Sequence, residues 1–268
     1  GGVVATVTVA RFIMAHPGRR LKQCAFDQIY RSTTIGEIDN KSFDLVVCAG
    51  APAKKWMANK DPAADLEKIN GLIAHLKNIQ CKRFVLISTA DVFKDAVGVN
   101  EDSPVDEHDL HAYGLHRRLL EKFVEENFPD NLIVRLPGLV GPGLRKNIIF
   151  DFLNSNNLDA VDSRGIFQFY PMVNLWYDIR TAMAADLKLI HLTAEPISVG
   201  EVSMEGFGKF FSNELPNDYA TYDFQSKYAA LFAGRGGYQY SARDTLQAVR
   251  SYAQSEPHIA SVVRGGAS

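Results

Sequence analysis

A run of apolar residues, Phe84-Val85-Leu86-Ile87, ends on Ser88 and Thr89, and further along Tyr113 is followed four places on by Arg117. A hydroxyl at a strand end, a phenol at the start of the next helix and a cation one turn beyond are the parts of an acid–base device. On a helix, positions i and i+4 share a face, so Arg117 lies one turn from Tyr113. A neighbouring cation favours the phenolate and is expected to lower the Tyr113 pKa from its solution value of about 10. Such a phenol passes protons to and from a carbinol, with the Thr89 hydroxyl as hydrogen-bond partner. Each residue also has a plainer role. Thr89 can end a strand by bonding local backbone, Tyr113 can be a packing residue, and Arg117 can be a solvated charge paired with Glu121 at i, i+4. His111 and His116 read as surface residues without metal-ligand spacing.

The elements that must hold these residues alternate as a parallel α/β sheet requires. Residues 21–26, 43–48, 82–88 and 131–136 read as strands. Residues 65–79 read as a helix with Leu66, Ile69, Leu72, Ile73 and Leu76 on one side, and residues 112–127 as another. Leu119, Leu120 and Phe123 of the second cover either the sheet or a partner. After Gly143 the rhythm changes. Helices near 148–154, 175–187, 200–211 and 241–253, with a strand over 189–193, suggest a smaller lobe, and residues 258–268 read as a tail.

These residues fall into a wider pattern. Strand-Ser88-Thr89-x-x-Val92-Phe93, then Tyr113-Gly114-x-x-Arg117, resembles the extended short-chain dehydrogenase/reductase family, the NAD-dependent epimerases and dehydratases of nucleotide sugars. Phe43 to Ala51 resembles the family's strand beside the nicotinamide ribose. Asn70-Gly71 sits where the family carries Asn, and Arg135-Leu136-Pro137-Gly138-Leu139-Val140-Gly141-Pro142-Gly143 resembles its Arg-x-Pro-x-x-x-Gly-Pro-Gly segment. The likeness spans roughly residues 1–150 and weakens beyond.

The resemblance implies a Rossmann-type doubly wound parallel sheet over 1–143, bearing a dinucleotide, and a smaller C-terminal α/β substrate lobe over 144–257. It implies Thr89, Tyr113 and Arg117 as catalytic residues and Ala49, Gly50, Ala51, Asn70, Ile87, Pro137 and Leu139 as contacts to NAD, with Tyr113 and Arg117 shared. Asp27 stands where an acid holds the adenosine ribose, and Arg31 could instead meet a 2′-phosphate, so NADP stays open. Thr89 and Tyr113, with Lys146, Asn147 and Arg235, are the candidates for substrate contact, Arg235 as a bidentate phosphate donor. Phe167, Phe169, Tyr170 and Trp176 either stack on a base or fill a core. Family members often dimerise through the helices bearing Asn70 and Tyr113.

Two departures stand out. The family's Tyr-x-x-x-Lys reads Tyr-x-x-x-Arg here, and a guanidinium fork does not replace an ammonium at a ribose. The chain opens Gly1-Gly2-Val3-Val4-Ala5, resembling the tail of a Gly-x-x-Gly-x-x-Gly phosphate loop. On that reading Gly2, Val3 and Val4 lie at the pyrophosphate. The strand preceding the loop is then missing. Its place is mid-sheet, where vacant edges would leave buried backbone unpaired, so further residues before Gly1 are expected. The alternative is that residues 3–9 are themselves the first strand, which β-branching and alternation suit. A second gap is expected between Tyr30 and Ser42.

Of the family's reactions, the 4,6-dehydratases follow the catalytic Thr with Asp–Glu, whereas Ala90 and Asp91 stand here. An epimerase or ketoreductase acting on a nucleotide-activated sugar, in polysaccharide synthesis, is therefore expected. The alternative is a catalytically silent relative that binds a dinucleotide as a sensor or assembly partner.

Composition sets outer bounds. The 268 residues are 46% hydrophobic and 22% charged, ordinary globular values, with a net charge of -2 and no basic cluster for nucleic acid. No apolar run reaches the roughly 20 residues of a membrane span. Cys24, Cys48 and Cys81 form no Cys-x-x-Cys pair, and Cys24 and Cys48 read as buried strand thiols. Cytosol is the expected compartment.

Overall fold

The computed structural model describes residues 2–5 and 28–259 of the chain. The sheet is built from β1 (Gly2–Ala5), β2 (Gln28–Tyr30), β3 (Ser42–Ala49), β4 (Gln80–Thr89), β5 (Asn131–Leu136) and β6 (Leu189–His191). Its order is β6-β5-β4-β3-β1-β2, and every pairing is parallel. Central strands of a parallel sheet are covered on both faces and read as continuous apolar runs. Phe84, Val85 and Leu86 of β4 and all of β5 are accordingly buried.

The helices are α1 (Lys55–Lys60), α2 (Pro62–Leu76), α3 (Ala112–Asn127), α4 (Asn147–Asn154), α5 (Leu175–Ala184) and α6 (Ala242–Ser255). Asp61 caps α2 by accepting from the Ala64 amide, with Pro62 at its first position, and His111 caps α3 by accepting from the Gly114 amide. The stripe Ile69, Leu72, Ile73 and Leu76 of α2 meets Leu120, Phe123 and Val124 of α3 over Val46, Phe84 and Ile133 of the sheet. Leu120 and Phe123 thus cover the sheet. Burying each such side chain contributes roughly 1.5–3 kcal/mol.

The first strand is present. Gly2, Val3 and Val4 pair with Val46, Val47 and Cys48 on one side and with Gln28, Ile29 and Tyr30 on the other. These three residues are therefore central strand, not the tail of a phosphate loop, because backbone laddered on both sides is not open to a pyrophosphate. The expectation of a missing strand is corrected accordingly. The strand expected over 21–26, together with Cys24 and Asp27, lies outside the described residues. A short 3₁₀ turn, Ile35–Ile38, links β2 to β3.

Two compact units divide the chain, and they interleave instead of meeting at residue 143. The first comprises Gly1–Asp95, Glu101–Leu136 and Asn174–His191; the second comprises Ala96–Asn100, Pro137–Val173 and Leu192–Ser268. Helix α5 and β6, expected in the smaller lobe, complete the main sheet because β6 ladders onto β5.

The second unit has its own core, in which Phe152 and Leu153 of α4 and Val249 and Tyr252 of α6 meet Phe169, Val199 and Val202. The expected helix over 200–211 is a short turn followed by a π-type turn at Val202–Gly206. Gln168 is buried yet satisfied. Its amide donates to Thr193 Oγ1, Ala194 O and Phe224 O, and its carbonyl accepts from the Phe224 amide. Among the described residues no helix is long and apolar enough to cross a membrane.

Candidate active site

Ligands of open parallel sheets lie beyond the carboxyl ends of the strands, where the strand order reverses. Here β1 and β3 begin that reversal, and Ala5 stands in register with Ala49. Ala49 is buried at the end of β3, Gly50 and Ala51 follow half-buried, and Ala51 packs on the core. Ile87 and Thr89 close β4, Thr89 level with Leu136 of β5. These expected cofactor contacts therefore share one edge.

Tyr113 comes to that edge on the first turn of α3. It is 9% exposed, and the Thr89 side chain is among the groups that act on its hydroxyl. The Thr89 Oγ1 also accepts from the Asp91 amide at 3.0 Å, which ends the strand in a single 3₁₀ turn. The plain role of Thr89 and its pairing with Tyr113 thus coexist. Close approach is enforced at Gly114, where a Cβ would lie 2.2 Å from the Asp91 carbonyl oxygen. Only Gly lets the first turn of α3 seat against that loop.

Arg117 is 3% exposed. Its Nη1 donates to Asp65 Oδ2 at 2.5 Å and its Nη2 to Asp65 Oδ1 at 2.9 Å, with a further Nη2 donation to the Pro52 carbonyl at 2.6 Å. The guanidinium lies 4.1 Å from the centroid of the Tyr113 ring. Its Nε is buried without a partner among the described residues. Asp65 also accepts from His116 Nδ1 at 2.6 Å. Burial pushes the Asp65 carboxyl up, but the hydrogen bonds and charges of Arg117 and His116 outweigh it and hold its pKa below the usual value.

The Tyr113 hydroxyl responds to competing influences. Burial, the largest, raises its pKa and Asp91 raises it further, while Arg117, the Thr89 hydrogen bond and Lys55 lower it. The net direction is upward, which corrects the expected lowering: Arg117 acts in the anticipated sense, but desolvation of the phenolate is stronger. Glu121 is not the partner of Arg117. It is fully buried and accepts from Arg135 Nε at 3.0 Å and Nη2 at 2.8 Å, from Arg118 Nη1 at 2.9 Å and from Ser88 Oγ at 2.6 Å. Arg135 reaches on to His191 Nε2 at 3.2 Å.

Neither flanking histidine is a surface residue. His116 is buried on Asp65, and His111 is the half-buried cap of α3. Burial, reinforced by Lys55, holds the His111 pKa below its usual value, against the pull of Asp91. Asp65 is the functional neighbour that sequence reasoning passed over. Its signal is positional: it extends the buried stripe of Ile69, Leu72, Ile73 and Leu76 on α2, whereas Asn70, the residue singled out, is exposed. Lys55 and Asn59 were likewise missed. Asn59 accepts from the Tyr113 amide at 3.0 Å, and Lys55 Nζ lies 2.8 Å from Asp91 Oδ1.

The remaining candidates are dispersed. Arg31 is exposed, its amide donating to Thr34 Oγ1. Pro137, Leu139, Lys146, Asn147 and Arg235 belong to the second unit. Asn147 has φ 70° and donates to the Leu139 carbonyl at 2.9 Å, and Arg235 is exposed beside a backbone bridge to Tyr238. Phe169 and Tyr170 are core residues of the second unit, Trp176 is buried in the first, and Phe167 stacks on Tyr222. Cys48 is fully buried in β3, and burial pushes its thiol up to about 12. Among the described residues no group of three His, Cys, Asp or Glu side chains is placed to hold a metal ion.

The fold is similar to that of solved nucleotide-sugar reductases, dehydratases and epimerases. A dTDP-4-dehydrorhamnose reductase from Yersinia enterocolitica superposes with a TM-score of 0.69 at 13% identity, over 94% of this chain and 98% of the reductase. An NAD-dependent NDP-hexosamine 5,6-dehydratase of tunicamycin biosynthesis gives 0.69 at 16% identity, over 96% and 98%. A UDP-glucuronic acid 4-epimerase from Bacillus cereus, in complex with NAD and a fluorinated UDP-sugar, gives 0.63 at 16%, over 95% and 99%. No protein-family model and no curated protein matches the sequence.

Proposed function

We propose that the chain binds NAD or NADP at the carboxyl edge of its sheet and acts as an epimerase or ketoreductase on a nucleotide-activated sugar. The observation that carries this reading is the placement of Tyr113 and Thr89 together at that edge, held by the Asp91 turn and the close seat of Gly114. The nicotinamide would supply or accept the hydride; the protein's part is to hold and move the proton. Tyr113 would take the proton of a sugar hydroxyl as its phenolate when the carbon is oxidised, and as the phenol would return it when the carbonyl is reduced. Thr89 and Tyr113 also donate to the carbonyl oxygen of the keto intermediate. The raised pKa of Tyr113 suits its protonated form, the donor required in the reductive direction. Ala49, Gly50, Ala51 and Ile87 would line the dinucleotide, and Lys146, Asn147 and Arg235 of the second unit are the proposed substrate contacts.

A second reading, a silent relative that binds the dinucleotide without turnover, is favoured by the engagement of Arg117. Its Nη atoms face Asp65 and Pro52, not an open site. The test is a screen of nucleotide sugars for absorbance at 340 nm, or for epimer formation, with wild type and Tyr113→Phe. Turnover that falls at least a hundredfold in the variant, with dinucleotide affinity retained, supports the enzyme. Dinucleotide binding with no turnover in either protein supports the silent relative.

A further inference from the structure

The short helix α1 reaches the backbone of Tyr113 at one end and the Asp91 turn that follows Thr89 at the other. Lys55 and Asn59 stand one turn apart on it and so share a face. Asn59 holds the Tyr113 amide, while the Lys55 ammonium holds the Asp91 carboxylate at 2.8 Å. Asp91 in turn gives its amide to Thr89 Oγ1 and presses its carbonyl against Gly114, the residue after Tyr113. Arg117 is the other cation beside the phenol, but Asp65 fixes it from within the core. The Lys55–Asp91 pair is instead partly open, with side chains 39% and 21% exposed.

We propose that Lys55 of α1 and Asp91 of the turn after β4 form an ion pair that positions Tyr113 and Thr89 for proton transfer. The inference rests on the reading of Tyr113 as the proton carrier. The groups acting on the phenol are Arg117 on α3, Lys55 on α1, Thr89 at the end of β4 and Asp91 in the turn after it. His111, at the cap of α3, feels both members of the pair. Asp91 disfavours the phenolate and Lys55 favours it more weakly, so the two charges of the intact pair partly offset. A change in either member alone tips the balance. A bound anion that engaged Lys55, or a bound donor that engaged Asp91, would do the same.

The test is a titration of Tyr113 in protein labelled with ¹³C at tyrosine Cζ, the Tyr113 signal being assigned by its loss in Tyr113→Phe. Circular dichroism follows the fold at each pH. Asp91→Asn should move the Tyr113 midpoint down by about one pH unit. Adding Lys55→Met to that variant should move it back up by a smaller amount. Asp91→Glu, which restores the charge, should return it toward wild type. A pair that only braces the fold would give no movement in Asp91→Asn, or a further fall on adding Lys55→Met, and either result overturns the proposal. Calorimetric titration of the wild type with NAD and with NADP is run in parallel. Failure to bind either would remove the oxidoreductase reading while leaving the titration result to decide the role of the pair.

Discussion

The Asp65–Arg117 pair allows a quantitative prediction. Both side chains are almost wholly buried, at 5% and 3% exposure, and two N–O contacts of 2.5 and 2.9 Å join them. Removing one member of such a pair leaves an uncompensated buried charge and costs about 3–5 kcal/mol. Asp65→Ala belongs at the upper end, because Arg117 and His116 lose their acceptor together. Arg117→Ala belongs at the lower end, because Asp65 keeps His116 as donor. In the double variant no charge is left stranded, so its cost should barely exceed that of Asp65→Ala alone. The coupling is then about 2–3 kcal/mol, near the top of what neighbouring residues show. Urea unfolding of the four proteins reads it directly. By melting, Asp65→Ala should lower Tm by roughly 10–20 °C, at about 2–4 °C per kcal/mol for a chain of this size. Single variants costing under about 1 kcal/mol, with additive effects, would refute the clamp and release Arg117 for contact with a ribose.

Three further outcomes follow from the same geometry. Asp65 has its folded pKa below the unfolded value of about 3.9, so its stabilisation is full above about pH 4 and is lost as pH falls through the folded value. Melting from pH 6 to pH 3 should therefore fall less steeply in Asp65→Asn than in wild type. Gly114→Ala should force the Asp91 turn away from α3, costing about 1–3 kcal/mol in urea unfolding and most of any Tyr113-dependent turnover. Glu121→Gln should destabilise by about 3–5 kcal/mol, because it leaves Arg135 and Arg118 facing a neutral amide in the core.

How much of this was legible in the sequence depended on whether a residue's surroundings are local. Strand β5 and helix α3 were read at their true bounds because their apolar periodicity is carried by consecutive residues. Helix α5 and β6 were recognised as elements but assigned to the wrong unit. Their return to the main sheet is a matter of which strand edge lies open, and sequence order does not encode it. The argument that a mid-sheet place cannot stand vacant was sound, but its occupant is Gly2–Ala5, close to the alternative reading of residues 3–9 and not a strand before Gly1. β-branching and alternation pointed to that strand, but with no glycine-rich turn after it the phosphate-loop reading was preferred. The Thr89–Tyr113 pair was found through spacing. Asp65 was not, because an acid on a helix reads as solvated until its partner is known, and Arg117 is 52 residues away. The pKa of Tyr113 was misjudged for a related reason: the neighbouring cation is visible in the sequence, and the depth of burial is not.

The central claim is that the carboxyl edge of the sheet, where Ala49, Gly50, Thr89 and Tyr113 converge, is a dinucleotide site. Isothermal titration calorimetry of the purified chain with NAD and, separately, NADP tests it most directly. Saturable one-to-one binding of one of them, retained in Tyr113→Phe, is the predicted result. Heats no larger than dilution for both, from protein shown to be folded, would contradict the claim.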